Sequence, residues 1–236
     1  MLRSYARCVF SRLRTNELMD DPALPAAEHD HALRGLARIN TLSRAWAPIA
    51  RAMKPLLGQQ GLSVLDVATG SADVPIALAT QFPGAQWHGC DVSSHALDVA
   101  QSRARAKGVS WSGFVHDIVA SPLERQFDVV LCSLFLHHLE PGDVTRALGH
   151  MAGAAKRMVI VHDLRRSAAG LALAYAVPRV LTRSRVVHVD AVKSVRGAYT
   201  RAELEELARA AGMAGAVIRP TFPQRMLLVW TRGNVR

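Results

Sequence analysis

Three cysteines occur in the 236 residues, Cys8, Cys90 and Cys132, and no two of them form a CxxC pair. So sparse and odd a set argues against a disulfide scaffold and a thiolate metal site, and points to a reducing cytosol. Long apolar runs are missing too. The longest, 168–177, contains Gly170 and stops far short of the ~20 residues a spanning helix needs. Aromatic residues make up only 6% of the chain, so platforms for stacking single-stranded bases are scarce. Neither GxGxxG nor GxxxxGK[ST] is present, which weakens a dinucleotide reading and excludes a Walker A loop. Acids are also in deficit, with 19 Asp and Glu against 29 Lys and Arg.

What is present is a chain that is 50% hydrophobic, enough to bury a core and too apolar for disorder. Its length fits one domain, or one domain with an appended lid, rather than two independent folds. The net charge of +10 is uneven: residues 1–60 carry +4, residues 61–163 carry −3 and residues 164–236 carry +9. That excess admits nucleic acid, an anionic membrane surface or an anionic substrate as partner. Near the N-terminus, Arg3, Arg7, Arg12 and Arg14 alternate with apolar residues at roughly helical spacing. The pattern predicts a short amphipathic surface helix, and its composition also imitates a transit peptide.

Over 28–57 the helical period returns, with Leu33, Leu36, Ile39, Leu42 and Trp46 at three- and four-residue steps. From 62 the pattern changes to strands alternating with helices. Strands are predicted at 62–67, 86–91, 110–117, 127–134 and 158–163, and helices at 74–82, 93–107 and 143–155. Such alternation implies βαβ units and a parallel sheet. Beyond it the spacing predicts a helix over 168–181, a loop to Gly197, a helix over 200–211 and strands at 216–219 and 225–231.

Ligands of an open parallel sheet bind beyond the carboxyl ends of its strands. Here the first three ends each deliver one acid: Asp66 before the turn at Gly70, Asp91, and Asp117. Asp91 can accept both hydroxyls of a ribose, and Asp117 an amino proton of adenine. One acid per strand end and no phosphate clamp describe an adenosine-containing ligand with a positive charge.

At these residues the sequence resembles the class I S-adenosylmethionine-dependent methyltransferases, over roughly residues 60–165. VLDVATGSADVPIAL resembles their first motif, in the D-x-x-x-G form of the ubiquinone/menaquinone C-methyltransferases. WHGCDVSSHALDVA resembles the ribose segment, HDIVASPL the adenine segment and FDVVLCSLFLHHLE the fourth-strand segment. LARINTLSRAW is similar to the helix that covers the cofactor in the quinone group. DLRRS and SVRGAYT resemble a branch that acts on polyketide-type molecules.

The resemblance implies an α/β fold, a Rossmann-like, mostly parallel sheet of seven strands with the last antiparallel and helices on both faces. It implies a helical cover over 1–60 and a methyltransferase domain over 61–236 with a helical insertion near 165–198. Carried over by position, Asp66 and Gly70 lie against the methionine part of S-adenosylmethionine, with Ala68 and Thr69 shaping the turn. Asp91 holds the ribose and Asp117 the adenine, while Val92 and Ile118 pack the base and Ser133 sits beside the methionine end. Ala68 and Ala72 stand where many relatives carry glycine.

The expected reaction is O- or C-methylation of a small, hydrophobic, acidic acceptor such as a phenol, quinol precursor or polyketide. His138 is the first candidate general base and His162 the second, since a neutral imidazole can take a phenolic or activated C–H proton. Arg165 and Arg166, with His137, are the candidates for the acceptor, a guanidinium suiting a carboxylate, phenolate or enolate. Cys132 reads as a core residue. No cluster suited to a divalent metal is visible, so metal independence is expected. Two rivals remain: a nucleic-acid methyltransferase, opposed by the absence of a [DN]PP[YF] motif, and a cofactor-binding module without turnover.

Overall fold

The computed structural model describes residues 10–21 and 23–233. Its strands are β1 (Ser63–Val67), β2 (Gln86–Asp91), β3 (Trp111–Val115), β4 (Phe127–Ser133), β5 (Ala155–Leu164), β6 (Val217–Thr221) and β7 (Arg225–Thr231). They form one seven-stranded sheet in the order β3-β2-β1-β4-β5-β7-β6. β1 to β5 pair in parallel, and β7 runs antiparallel to both β5 and β6. β1 is buried at all five positions, as a central strand covered on both faces must be. The β3-β2-β1-β4 order brings β2 and β4 to opposite sides of β1, so the sheet reverses its winding beside the β1 turn.

The helices are α1 (Ala26–Ser43), α2 (Ala47–Met53), α3 (Asp73–Ala79), α4 (Ser94–Ala106), α5 (Pro141–Ala154), α6 (Ala168–Leu181), α7 (Arg185–Gly197) and α8 (Arg201–Ala210). One sheet face is closed by α5 and α8, through Leu148, Met151 and Leu204. The other is closed by α2, α3 and α4, through Ile49, Met53, Leu78 and Leu97. Each such fully buried aliphatic side chain contributes about 1.5–3 kcal/mol. Local signals fix the starts: the Ser93 hydroxyl accepts the Ala96 N–H at 3.2 Å, and Thr200 with Glu203 forms a reciprocal capping box.

A third apolar group lies apart from both sheet faces. Ala32 of α1 meets Val186 and Val187 of α7, with Leu36 and Ile39 packed alongside. α1, α6 and α7 thus make a helical cap. α1 and α6 meet closely at Gly35, where a Cβ would fall 2.7 Å from the Thr182 hydroxyl. Arg44, at φ 45°, ends α1 where the sequence predicts one continuous helical pattern.

Two expectations are corrected. The segment read as a loop up to Gly197 is largely α7. Its run of valines has weak helix propensity, but Ser184 caps it and burial of Val186, Val187 and Val195 outweighs that preference. The arginine-rich N-terminus is no helix over residues 10–17, which run irregularly across the cap. Arg3, Arg7 and Cys8 lie outside the described residues. Arg12 donates to the Gly197 and Leu139 carbonyls at 2.7 and 2.6 Å, and Arg14 to the His138 carbonyl at 2.6 Å. These arginines act as straps, because their side chains satisfy carbonyls that helix ends and turns leave open. No helix among the described residues is long and apolar enough to cross a membrane.

Arg166 is the deepest tie. It is buried and donates to the carbonyls of Phe10 and Ala198 at 3.0 and 2.8 Å and to Glu203 at 2.5 Å. Arg166→Ala should lower stability by about 2–4 kcal/mol in urea denaturation, by stranding one carboxylate and two carbonyls. A loss below 0.5 kcal/mol, the scale of an ordinary surface substitution, would show that the tie is dispensable.

Candidate active site

The turn after β1 is built from left-handed residues: Ala68 at φ 51°, Gly70 at φ 52° and Ala72 at φ 58°. A left-handed alanine is strained by roughly 1–2 kcal/mol, so the surrounding contacts must hold the turn. They do so through the Thr69 N–H to the Cys90 carbonyl at 3.1 Å and the Ala72 N–H to the Thr69 carbonyl at 2.9 Å. At Gly70 a Cβ would meet nothing within 4 Å, so bare backbone faces open space.

That space is a cleft of about 640 Å³ lined by Ala68, Gly70, Asp91, Val92, His116, Asp117 and Ile118, and on its far side by Leu134, Phe135 and His138. Asp91 accepts the N–H of Gly70 at 2.9 Å on one oxygen and of Ser93 at 3.0 Å on the other. A carboxylate has about four acceptor sites, so two remain for a diol. Asp117 accepts the Val119 N–H at 2.8 Å, which shapes the loop carrying Ile118.

Asp66 lies just behind the turn and is only 3% exposed. Its Oδ2 accepts the Thr69 hydroxyl at 2.8 Å, while Oδ1 has no partner among the described residues. Burial pushes its pKa up to about 7; the Thr69 hydrogen bond opposes this, and Asp73 and Asp91 add to it. A buried carboxylate with an orphaned oxygen beside a bare glycine fits a cationic ligand such as S-adenosylmethionine. Thr69 and Ser133 shape this region without lining the cleft.

A second cavity, of about 280 Å³, opens beneath the helical cap. Leu36 and Ile39 of α1, Leu173 and Val177 of α6 and Val195 of α7 give it an apolar wall, and Glu17, His137 and Arg225 also line it. Leu134 and His138 line both cavities, so the two meet there.

His137 is held rigidly at this junction. Its Nδ1 bonds the Asp163 Oδ1 at 2.7 Å, and its backbone N–H donates to Oδ2 at 3.2 Å. Burial alone would lower the His137 pKa, but the charge and hydrogen bond of Asp163, helped by Glu17 and opposed by Arg225, hold it above 6.5. His138 behaves oppositely: burial, with the charge of His137, brings it down to about 3. Glu17, His137 and His138 also place three ligand atoms within 4.8 Å of one another.

Three candidates fall elsewhere. His162 is fully buried within the sheet, bonded to Thr221 at 3.1 Å, and lines neither cavity. Arg166 is consumed by its structural ties; Arg165 donates to the Gln224 side chain, leaves its Nε without a partner among the described residues, and lines neither cavity. The reason is the path of β5, which ends at Leu164; Arg165 and Arg166 then turn toward Gln224 and the Tyr199 carbonyl. Sequence reasoning missed Asp163, Glu17 and Arg225. Asp163 sits in a strand buried almost throughout, where alternation does not separate faces, and Glu17 and Arg225 are lone charges without a motif.

Residues 64–157 match the family model described as a methyltransferase domain. A release factor glutamine methyltransferase of Chlorobaculum tepidum is 54% identical over 48 residues, 20% of this chain and 16% of that protein. A demethylmenaquinone methyltransferase of Thermus thermophilus is 29% identical over 102 residues, 43% of this chain and 46% of that protein. The chain therefore spans less than half the length of these curated relatives. Magnesium protoporphyrin IX methyltransferase from Synechocystis, solved with bound S-adenosylhomocysteine, superimposes with a TM-score of 0.59 at 20% identity over 90% of each chain.

Asp91→Ala should weaken S-adenosylhomocysteine binding by about 1.5–3 kcal/mol, the scale of a charge-assisted hydrogen bond. In calorimetry with S-adenosylmethionine, whose sulfonium is cationic, the affinity should also fall as pH drops through about 7, where Asp66 gains a proton and loses its charge. A pH-independent affinity between pH 6 and 8 would remove Asp66 from the binding set.

Proposed function

From the premise that the chain carries the class I S-adenosylmethionine-dependent methyltransferase fold, we propose that it methylates a small hydrophobic acceptor held under the cap of α1, α6 and α7. The observation that carries this reading is the meeting of the two cavities at Leu134 and His138. An adenosine-sized cleft that opens into a separate apolar pocket suits a donor on one side and an acceptor on the other. The small volume of the pocket and its apolar wall favour a small molecule over a nucleic acid strand.

Asp66, Gly70, Asp91, Asp117 and Ile118 would hold S-adenosylmethionine, which supplies a methyl group on a positively charged sulfur. The protein's tasks are then alignment, exclusion of water and removal of a proton. We assign the proton to His137 rather than His138. With Nδ1–H donated to Asp163, the neutral ring keeps its Nε2 lone pair as acceptor, and Asp163 stabilises the imidazolium that forms. His138, at about 3, is a much weaker base. The acceptor O–H or activated C–H gives its proton to His137 Nε2. The acceptor atom would then carry the electron pair to which bound S-adenosylmethionine would supply its methyl group, the sulfur keeping the electrons of the bond it loses.

His137→Gln should lower kcat roughly 10²–10⁴-fold with cofactor affinity unchanged, and His138→Gln far less. Because only neutral His137 accepts a proton, kcat should rise with pH through a value above 6.5, and Asp163→Asn should move that limb downward. The assay is transfer of labelled methyl to a panel of phenols, aryl acids and polyketide-type phenolics. Equal losses at His137 and His138 with a flat pH profile would defeat the assignment. Activity should also survive EDTA. Loss on chelation, restored by one divalent ion, would instead give Glu17, His137 and His138 to a metal.

A further inference from the structure

One charge in the apolar pocket has no part in the proton transfer. Arg225, the first residue of β7, lines the pocket and is only 5% exposed. Among the described residues, neither its Nε nor its Nη1 has a hydrogen-bond partner. Buried guanidinium groups are normally paired, because an unmatched charge or donor away from water is costly.

The nearby acid does not complete it. Asp163 attracts Arg225 electrostatically, yet Oδ1 already accepts His137 Nδ1 and the Leu164 N–H, and Oδ2 the His137 N–H. One buried carboxylate is thus shared by two cation-forming groups. Glu17, the other acid lining the pocket, accepts the Ser194 hydroxyl and lies 3.9 Å from His138 Nδ1. His162, on the neighbouring strand, is neutral over the working pH range, since burial and Arg225 bring it down to about 3.

The backbone that carries the guanidinium is held in place. Arg225 pairs with Leu164 of β5 and Thr221 of β6. The preceding Gln224 sits at φ 93° and accepts both Arg165 and Ser167 on its side-chain oxygen. A buried cation with unused donors, carried on a paired strand and lining the same pocket as Leu173, Val177 and Val195, suits an anion with an apolar body.

We propose that the acceptor is a hydrophobic carboxylic acid whose carboxylate is received by Arg225 inside the pocket. The inference rests on the methyltransferase reading for the identity of the pocket as acceptor site. It also replaces Arg165 and Arg166, which line no part of that pocket, as the anion-recognising residues.

The test uses the full chain saturated with S-adenosylhomocysteine and two matched probes, 2-naphthoate and the uncharged 2-naphthamide, in calorimetry. Naphthoate should bind at least about tenfold more tightly, the scale of a charge-assisted hydrogen bond. Arg225→Met should erase that preference while S-adenosylhomocysteine affinity stays unchanged. Arg225→Gln carries the same comparison if Arg225→Met melts early, and Arg225→Lys should keep part of the preference. Equal affinity of the wild type for both probes, a preference that persists in Arg225→Met and Arg225→Gln, or no saturable naphthoate binding would each overturn the proposal. Failure of the wild type to bind S-adenosylhomocysteine would overturn the methyltransferase reading instead, so the two failures are separable.

Discussion

A single buried carboxylate, Asp163, sets the geometry at the centre of this molecule. It ends the buried part of β5, receives both the ring and the backbone N–H of His137, and offsets part of the charge of Arg225. It therefore fixes the 136–138 turn against the sheet, and that turn is where the cofactor-shaped cleft meets the apolar pocket. Ionising an acid in the interior is unfavourable, but here the acid is held ionised, below its usual range, by His137 and by backbone N–H groups. The cost of burying it is offset only while those partners are present, which ties the fold of this region to the position of the imidazole.

The outer side of the same turn is held by the N-terminal strap. Arg12 grips the Leu139 carbonyl and stacks 4.4 Å from the Tyr199 ring, whose hydroxyl donates to that same carbonyl at 2.7 Å. Arg14 grips the His138 carbonyl. Glu17, carried on the strap, reaches the pocket wall itself. Arg12 and Arg14 thus serve carbonyls and one acid, Glu140, of their own chain. The residues that a charge count groups with a polyanion partner are, for Arg12, Arg14 and Arg166, already committed to internal partners.

Where the sequence carried a period of two or a short apolar run ending in a polar turn, it was legible. β2, α6 and β7 occupy the residues expected of them, or within one or two of them, because their apolar positions and flanking breakers agree. The cleft was legible for the same reason: Gly70, Asp91, Asp117 and Ile118 line it, with Asp66 just behind, and all five fall at or just beyond the carboxyl ends of β1, β2 and β3. The acceptor side was not. Arg165 and Arg166 stand out in sequence as a pair, yet the chain turns after Leu164 and sends both into structural contacts. Arg225 is far away in sequence and reaches the pocket only through antiparallel pairing of β7 with β5, which no local pattern encodes. α7 was missed because its valines read as loop or strand until the burial supplied by α1 and α6 is known.

This difference in legibility follows a division within the molecule. The segment matching the methyltransferase domain, residues 64–157, contains every residue that lines the cleft. Of the pocket, it supplies only Leu134, His137 and His138. The remaining wall comes from the strap, α1, the end of β5, α6, α7, the turn before β7 and Arg225 at its start, all outside the matched segment. A sheet that binds one donor can therefore be fitted with a different acceptor pocket by changing the elements outside that segment, with the two shared residues, Leu134 and His138, as the fixed point of contact. On the proposed reading, the apolar character of the cap and the buried cation of Arg225 select the acceptor, and they owe nothing to the motifs that identify the fold.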